Sequence, residues 1–161
     1  MVCLTKITSM NTVMSMETTR TDKYVERLVR EWNQHSKIII AVDFDSTLSY
    51  WPTIHNPEDI AKTIELIKNC QQTGCYTVIH TACSKERYSE IIDYCSKNGI
   101  NVDSINQNPF PLPYGNDGGK IFYNHQLCDR SGLQESMDIL EKALYQRRGV
   151  IQSLKPLDEI G

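Results

Sequence analysis

No uncharged apolar run in this chain approaches the roughly 20 residues needed to cross a bilayer. The longest, Ile38 to Val42, suits a buried strand instead, so no membrane partner is expected. A basic excess is also missing. Seventeen Lys and Arg face 20 Asp and Glu, a formal charge of −3, so the field that draws proteins to nucleic-acid backbone is absent and an anionic ligand needs a local site. Six cysteines are present, yet no pair has the two-residue spacing of a zinc knuckle or a redox motif, and no charged-then-apolar signal precedes them. They read as reduced thiols of a cytoplasmic protein, mostly buried as small hydrophobes. No internal repeat is found. Hydrophobic residues at 40% and charged residues at 23% of a 161-residue chain are ordinary globular usage and predict one folded domain.

Residues 1–21 hold six Thr, four Met and two Ser without an apolar period and read as a flexible extension. With only Lys6 and Arg20 as cations, plus Glu17, the segment makes a poor organelle-targeting peptide. From Asp22, read as an N-cap, apolar residues recur at helical spacing to about His35. The run Lys37–Asp43 is apolar on both faces, as central parallel strands are. Asn56-Pro57 starts a second helix that Gly74 stops, and Cys75–Thr81 is a second strand. Ser84 opens a third helix ending at Asn98-Gly99, Ile100–Ile105 is a third strand, and Asn106–Gly119, with three Pro and three Gly, is a long loop. Gln126–Asp129 is a fourth strand. A last helix runs from Gly132 to Arg148 with Leu133, Met137, Leu140 and Leu144 inward, and Gly149 ends it, leaving a tail over 150–161. This alternation predicts an α/β fold, a three-layer, doubly wound, Rossmann-like parallel sheet over 22–149, whose ligands bind beyond the carboxyl ends of the strands.

Chemistry-bearing residues collect at those ends. Asp43-Phe44-Asp45-Ser46-Thr47 closes the first strand; its two carboxylates can face one pocket only if the chain turns straight after Asp43, and an Asx-turn would equally suit the residues. Thr81 closes the second strand, and Ser84 can cap a helix or face an anion. Lys120 precedes the fourth strand and Asp129 closes it. A cysteine-phosphatase loop through Cys83 and Arg87 is excluded because only three residues separate them. A response-regulator receiver is excluded because its phosphorylated Asp belongs to a later strand than its acidic pair.

Taken in order, Asp43-Phe-Asp45-Ser-Thr47, Thr81, Lys120 and Asp129 resemble the haloacid dehalogenase superfamily of phosphatases, over about Lys37 to Leu144. Lys120-Ile-Phe-Tyr-Asn-His-Gln-Leu-Cys-Asp129-Arg-Ser-Gly-Leu133 is similar to the small phage-type hydrolases of that superfamily, in which a Lys-Pro-Tyr-Tyr stretch leads to Asp-Asp-Arg-Ala-Gly-Leu. The resemblance implies a phosphomonoesterase in which Asp43 is the nucleophile, forming an aspartyl-phosphate, and Asp45 the general acid and then base. Thr81 and Lys120 would stabilise the transferring phosphoryl group. It implies Mg2+ held by Asp43, the backbone carbonyl of Asp45, and Asp129. Two departures stand out. Ser46 replaces the family's usual Gly, with an altered turn expected, and Cys128 replaces an acidic residue, with weaker magnesium binding expected.

Both intervals where family members insert a cap domain are filled here by the expected helices, strand and loop, so a capless, open site follows. A large substrate could reach it, or the 106–119 loop, the segment around Trp51, or a second copy of the chain could cover it. Thr47, Trp51 and Tyr114 are candidate substrate contacts; the two aromatics can stack on a base or pack a proline-rich loop. The expected substrate is a phosphorylated small molecule, a nucleotide above all, or a nucleic-acid phosphate end. The competing reading is a non-catalytic module of the same fold that binds a phosphate ligand or a partner protein. Transfer of the phosphoryl group to an acceptor other than water would share the same intermediate.

Overall fold

The computed structural model describes residues 19–50, 57–113 and 118–154. Helix α1 spans Arg20–His35 and begins before the expected Asp22. Thr19 is the cap: its Oγ1 accepts from Asp22 N at 3.2 Å while Asp22 Oδ2 accepts from Thr19 N at 2.9 Å. The reciprocal pair occupies N–H groups that a helix start leaves without partners, so the extension ends earlier than residue 21. Strand β1 (Ile38–Val42) is buried throughout. Then follow α2 (Pro57–Gly74), β2 (Cys75–Ile79), a 3-10 turn over Lys85–Arg87, α3 (Tyr88–Lys97), β3 (Ser104–Ile105), β4 (His125–Leu127) and α4 (Leu133–Ser153).

The four strands form one all-parallel sheet in the order β3-β2-β1-β4. Register places Val42, Ile79, Ile105 and Leu127 side by side on one face, where they join Leu28 and Trp32 of α1, Ile67 of α2, Ile91 of α3 and Leu140 of α4 in the main core. Burying each such side chain stabilises the fold by about 1.5–3 kcal/mol. On the opposite face Ile39 and Val78 pack with Ile121, Tyr76 and Tyr123. The crossover from β3 back to β4 supplies Ile121 and Tyr123, so the three layers are helices, sheet and crossover. No cap domain interrupts the described residues, and none of the helices among them is long and apolar enough to cross a membrane.

β3 starts later than predicted because a side chain replaces its first rungs, whereas β4 starts at His125, one residue before the predicted Gln126, and ends at Leu127 rather than Asp129. Asp103 N donates to Thr77 O at 2.9 Å while Asp103 Oδ2 accepts from Thr77 N at 2.7 Å. Asn124 repeats the device on β1: its N–H donates to Ile39 O at 2.8 Å and its Oδ1 accepts from Ile39 N at 2.7 Å. Each backbone group is satisfied without a residue in strand geometry. The turn from α2 into β2 needs Gly74, whose φ is +110° and whose added Cβ would lie 2.6 Å from Ser36 O. Gly149, by contrast, does not end α4. An interior glycine costs a helix only about 1 kcal/mol, and Arg147, buried and bonded through Nη1 to Asn33 Oδ1 at 2.8 Å, keeps that turn on α1. The expected tail over 150–161 therefore begins as helix, and residues 155–161 lie outside the described residues.

Candidate active site

The end of β1 is held from both sides. Asp43 N donates to Leu127 O and His80 N to Val42 O, both at 2.9 Å. The chain then turns: Phe44 O accepts from Leu48 N and Ser49 N, each at 3.0 Å, and Ser46 N donates to Ser49 O at 3.0 Å. Phe44 and Leu48 anchor this turn in the core, Phe44 edge-on to Tyr94 with ring centroids 5.4 Å apart, and Tyr94 Oη donates to Leu48 O at 2.8 Å. Ser46 takes a φ of +65°, the left-handed conformation glycine adopts without strain. The altered position thus keeps a glycine-type backbone in a serine. This turn leaves Asp45 near enough for its charge to act on Asp43.

Burial raises the Asp43 carboxyl to about 6, helped by a hydrogen bond and the charge of Asp129 and by the charge of Asp45. Ligand atoms of Asp43, Cys128 and Asp129 all lie within 4.8 Å of one another. Two close carboxylates partly shielded from water repel each other unless a proton or a cation sits between them. Thr47 is buried under the pair: its Oγ1 donates to Asp43 Oδ2 at 3.4 Å and accepts from Asp129 N at 3.0 Å. It faces the carboxylates rather than open space.

Asp45 has its own partners. Cys83 Sγ donates to Asp45 Oδ2 at 3.1 Å, Arg87 Nη1 donates to Cys83 Sγ at 2.9 Å, and Arg87 Nη2 lies 3.6 Å from Asp45 Oδ1. Burial and the Asp45 carboxylate push the Cys83 thiol up, so it acts here as an S–H donor rather than a nucleophile. Thr81 is buried past the end of β2, and its Oγ1 accepts from Cys83 N at 3.1 Å. Lys120 is exposed before β4, and among the described residues no ion pair joins it to Asp43, Asp45 or Asp129. Trp51 and Tyr114 lie outside the described residues. One edge therefore gathers Asp43, Asp45, Thr47, Thr81 and Asp129.

No protein-family model and no curated protein matches the chain. A solved structure does. It is a conserved protein coded by a locus of Bacteroides thetaiotaomicron, 23% identical, matching over 77% of this chain and 97% of that one with a TM-score of 0.53. The two share a fold.

Two residues beside this edge were not read as site residues from the sequence. Arg87 figured only in the excluded cysteine-phosphatase loop; its four-residue distance from Cys83, one helical turn, was the available signal. Asn106, immediately past β3, bonds Thr81 at both backbone groups. Its place at a strand end in line with Asp43, Thr81 and Asp129 was the only hint.

Proposed function

We propose that this chain is a magnesium-dependent phosphomonoesterase of the haloacid dehalogenase type, working in the cytoplasm on nucleotides or on nucleic-acid phosphate ends. The observation that carries the reading is the half-buried Asp43–Asp129 pair at the carboxyl edge of β1 and β4, with Asp45 near enough for its charge to act on Asp43. Asp43 and Asp129 fit a hard divalent cation, with the backbone carbonyl of Asp45 as a third oxygen; the soft Cys128 thiol beside them adds nothing that magnesium prefers. When bound, the cation neutralises charge on the phosphoryl oxygens.

The chain's own residues supply the rest. An Asp43 oxygen attacks phosphorus, the bond from phosphorus to the leaving oxygen breaks, and Asp45 delivers its proton to that oxygen. Asp45 then takes a proton from water, which attacks the aspartyl-phosphate and frees phosphate and the Asp43 carboxylate. Thr47 holds the nucleophile's carboxylate, and Thr81 donates toward the transferring group. The absence of a cap among the described residues supports a substrate larger than a simple metabolite. Five free thiols, unpaired among the described residues, support a reducing compartment.

The test is phosphate release from p-nitrophenyl phosphate and a panel of nucleoside monophosphates, with and without magnesium, for wild type and Asp43→Asn. Magnesium-dependent turnover abolished by the substitution is expected. Folded wild-type protein that turns over none of these and gains no thermal stability from magnesium would point to the binding module instead.

A further inference from the structure

Asn106 has a φ of +53°, a conformation in which a non-glycine residue is held by its surroundings. Its backbone N–H makes the last rung of β3, donating to Ile79 O at 2.9 Å. Its side chain then grips the next strand end. Oδ1 accepts from Thr81 N at 2.9 Å, Nδ2 donates to Thr81 O at 2.7 Å, and Nδ2 also reaches Tyr88 Oη at 3.0 Å. One amide thus satisfies both backbone groups of a single residue beyond the point where strand pairing has stopped. Thr81 itself is buried, and its hydroxyl oxygen is taken as acceptor by Cys83 N at 3.1 Å. A hydroxyl whose oxygen accepts one bond still has its proton to donate. The direction of that proton depends on where the Thr81 backbone is fixed, and Asn106 fixes it.

We propose that Asn106 is a positioning residue for phosphoryl transfer, acting through Thr81: its left-handed backbone and two-sided amide grip hold the Thr81 hydroxyl aimed at the transferring group. The inference rests on the phosphatase reading above and adds to it a residue from a third strand. A group that supports a catalytic donor without touching substrate is worth about 10–100-fold when removed. Its loss should appear in kcat more than in KM, because the donor acts on charge that develops in the transition state.

The test is a double-mutant cycle in the full chain with p-nitrophenyl phosphate and magnesium. Asn106→Gly keeps the positive φ without strain and removes the grip; it is expected to lower kcat about 10-fold or more with KM little changed. Thr81→Ala is expected to lower kcat about 100-fold. The double variant should be no slower than Thr81→Ala alone, since a residue that acts only through Thr81 has nothing left to position. Asn106→Asp keeps the acceptor for Thr81 N and tolerates the same backbone but replaces the donor to Thr81 O with an acceptor; it provides a second probe, with a loss that also vanishes in the Thr81→Ala background. Tyr88→Phe, which removes only the outer bond, should change kcat less than about 3-fold. Losses that multiply in the double variants, or a folded Asn106→Gly with wild-type kcat, would overturn the proposal while an inactive Asp43→Asn left the phosphatase reading standing. Activity retained in Asp43→Asn, or a wild type without turnover, would remove both.

Discussion

Asp43→Asn should stabilise the metal-free protein while abolishing its proposed chemistry. Burial and Asp129 hold the Asp43 carboxyl at about 6, against an ordinary 3.8. A displacement of about two units corresponds to about 3 kcal/mol at 1.36 kcal/mol per unit. Solvent access and sharing of the effect with Asp129 reduce this to about 1–2 kcal/mol. The sign follows from linkage. The folded state binds the Asp43 proton more tightly than the unfolded chain does, so the wild type is favoured by low pH and loses that stability as pH rises from about 4 through about 6. Asn carries no charge and escapes the loss. In EDTA at about pH 8 the variant should therefore melt about 2–8 °C higher, at about 2–4 °C per kcal/mol for a chain of this size, and the advantage should vanish near pH 4. Saturating magnesium should shrink or reverse the difference, because an amide is a poorer ligand than a carboxylate. Thermal melts of both proteins across this range decide the matter. A variant no more stable than wild type at pH 8, or one whose advantage does not change with pH, would refute the reasoning.

Three further outcomes follow from the fold. Gly74→Ala, which combines a φ of +110° with a Cβ 2.6 Å from Ser36 O, should cost at least about 2 kcal/mol by urea denaturation. Gly118→Ala, with no atom within 4 Å, should stay within about 0.5 kcal/mol. Trp32→Ala should cost about 3–5 kcal/mol, whereas Trp32→Phe should cost under about 2 kcal/mol, since it also removes a buried indole N–H that has no acceptor among the described residues. Burial lowers the His125 imidazole below its ordinary 6.5, so the folded protein holds it neutral, with Nε2–H donating to Ser136 O at 2.8 Å. The unfolded state then binds more protons, and stability from this group is lost as pH falls below about 6.5. Urea midpoints at about pH 7.5 and pH 5 should show a smaller acid loss in His125→Gln than in wild type; the opposite trend from Asp43 cancels in that comparison.

The parts of the fold legible in the sequence are those in which one residue pattern decides the outcome. Ile38–Val42 is apolar on both faces and could only be a central strand; Pro57 and Gly74 bracket α2 because one fixes a first turn and the other accepts a φ closed to other residues. The failures lie where a distant partner decides. Gly149 reads as a stop in isolation, and only the docking of α4 on α1 through Arg147 carries the helix past it. Asp103 reads as part of the third strand and Asn124 as lying before the fourth, and nothing local reveals that their side chains stand in for strand rungs. The same division runs through the site. Asp43, Asp45, Thr81 and Asp129 were legible because strand ends and acidic spacing are local features. The burial of Thr47 under the carboxylates, the Cys83–Arg87 hold on Asp45 and the grip of Asn106 are contacts between segments far apart in the chain.

The side-chain rungs of Asp103 and Asn124 bear on behaviour at high concentration. β3 and β4 are the outer strands of the sheet, and they run for only two and three residues. A neighbouring chain that tried to extend the sheet would find too few open amides and carbonyls to form a ladder, because the adjoining positions on β2 and β1 are already occupied by a carboxylate and an amide from within the molecule. Short margins of this kind are poor templates for intermolecular β-pairing. The substitutions that shorten the outer strands thus also guard a wholly parallel, slow-forming sheet against recruiting copies of itself.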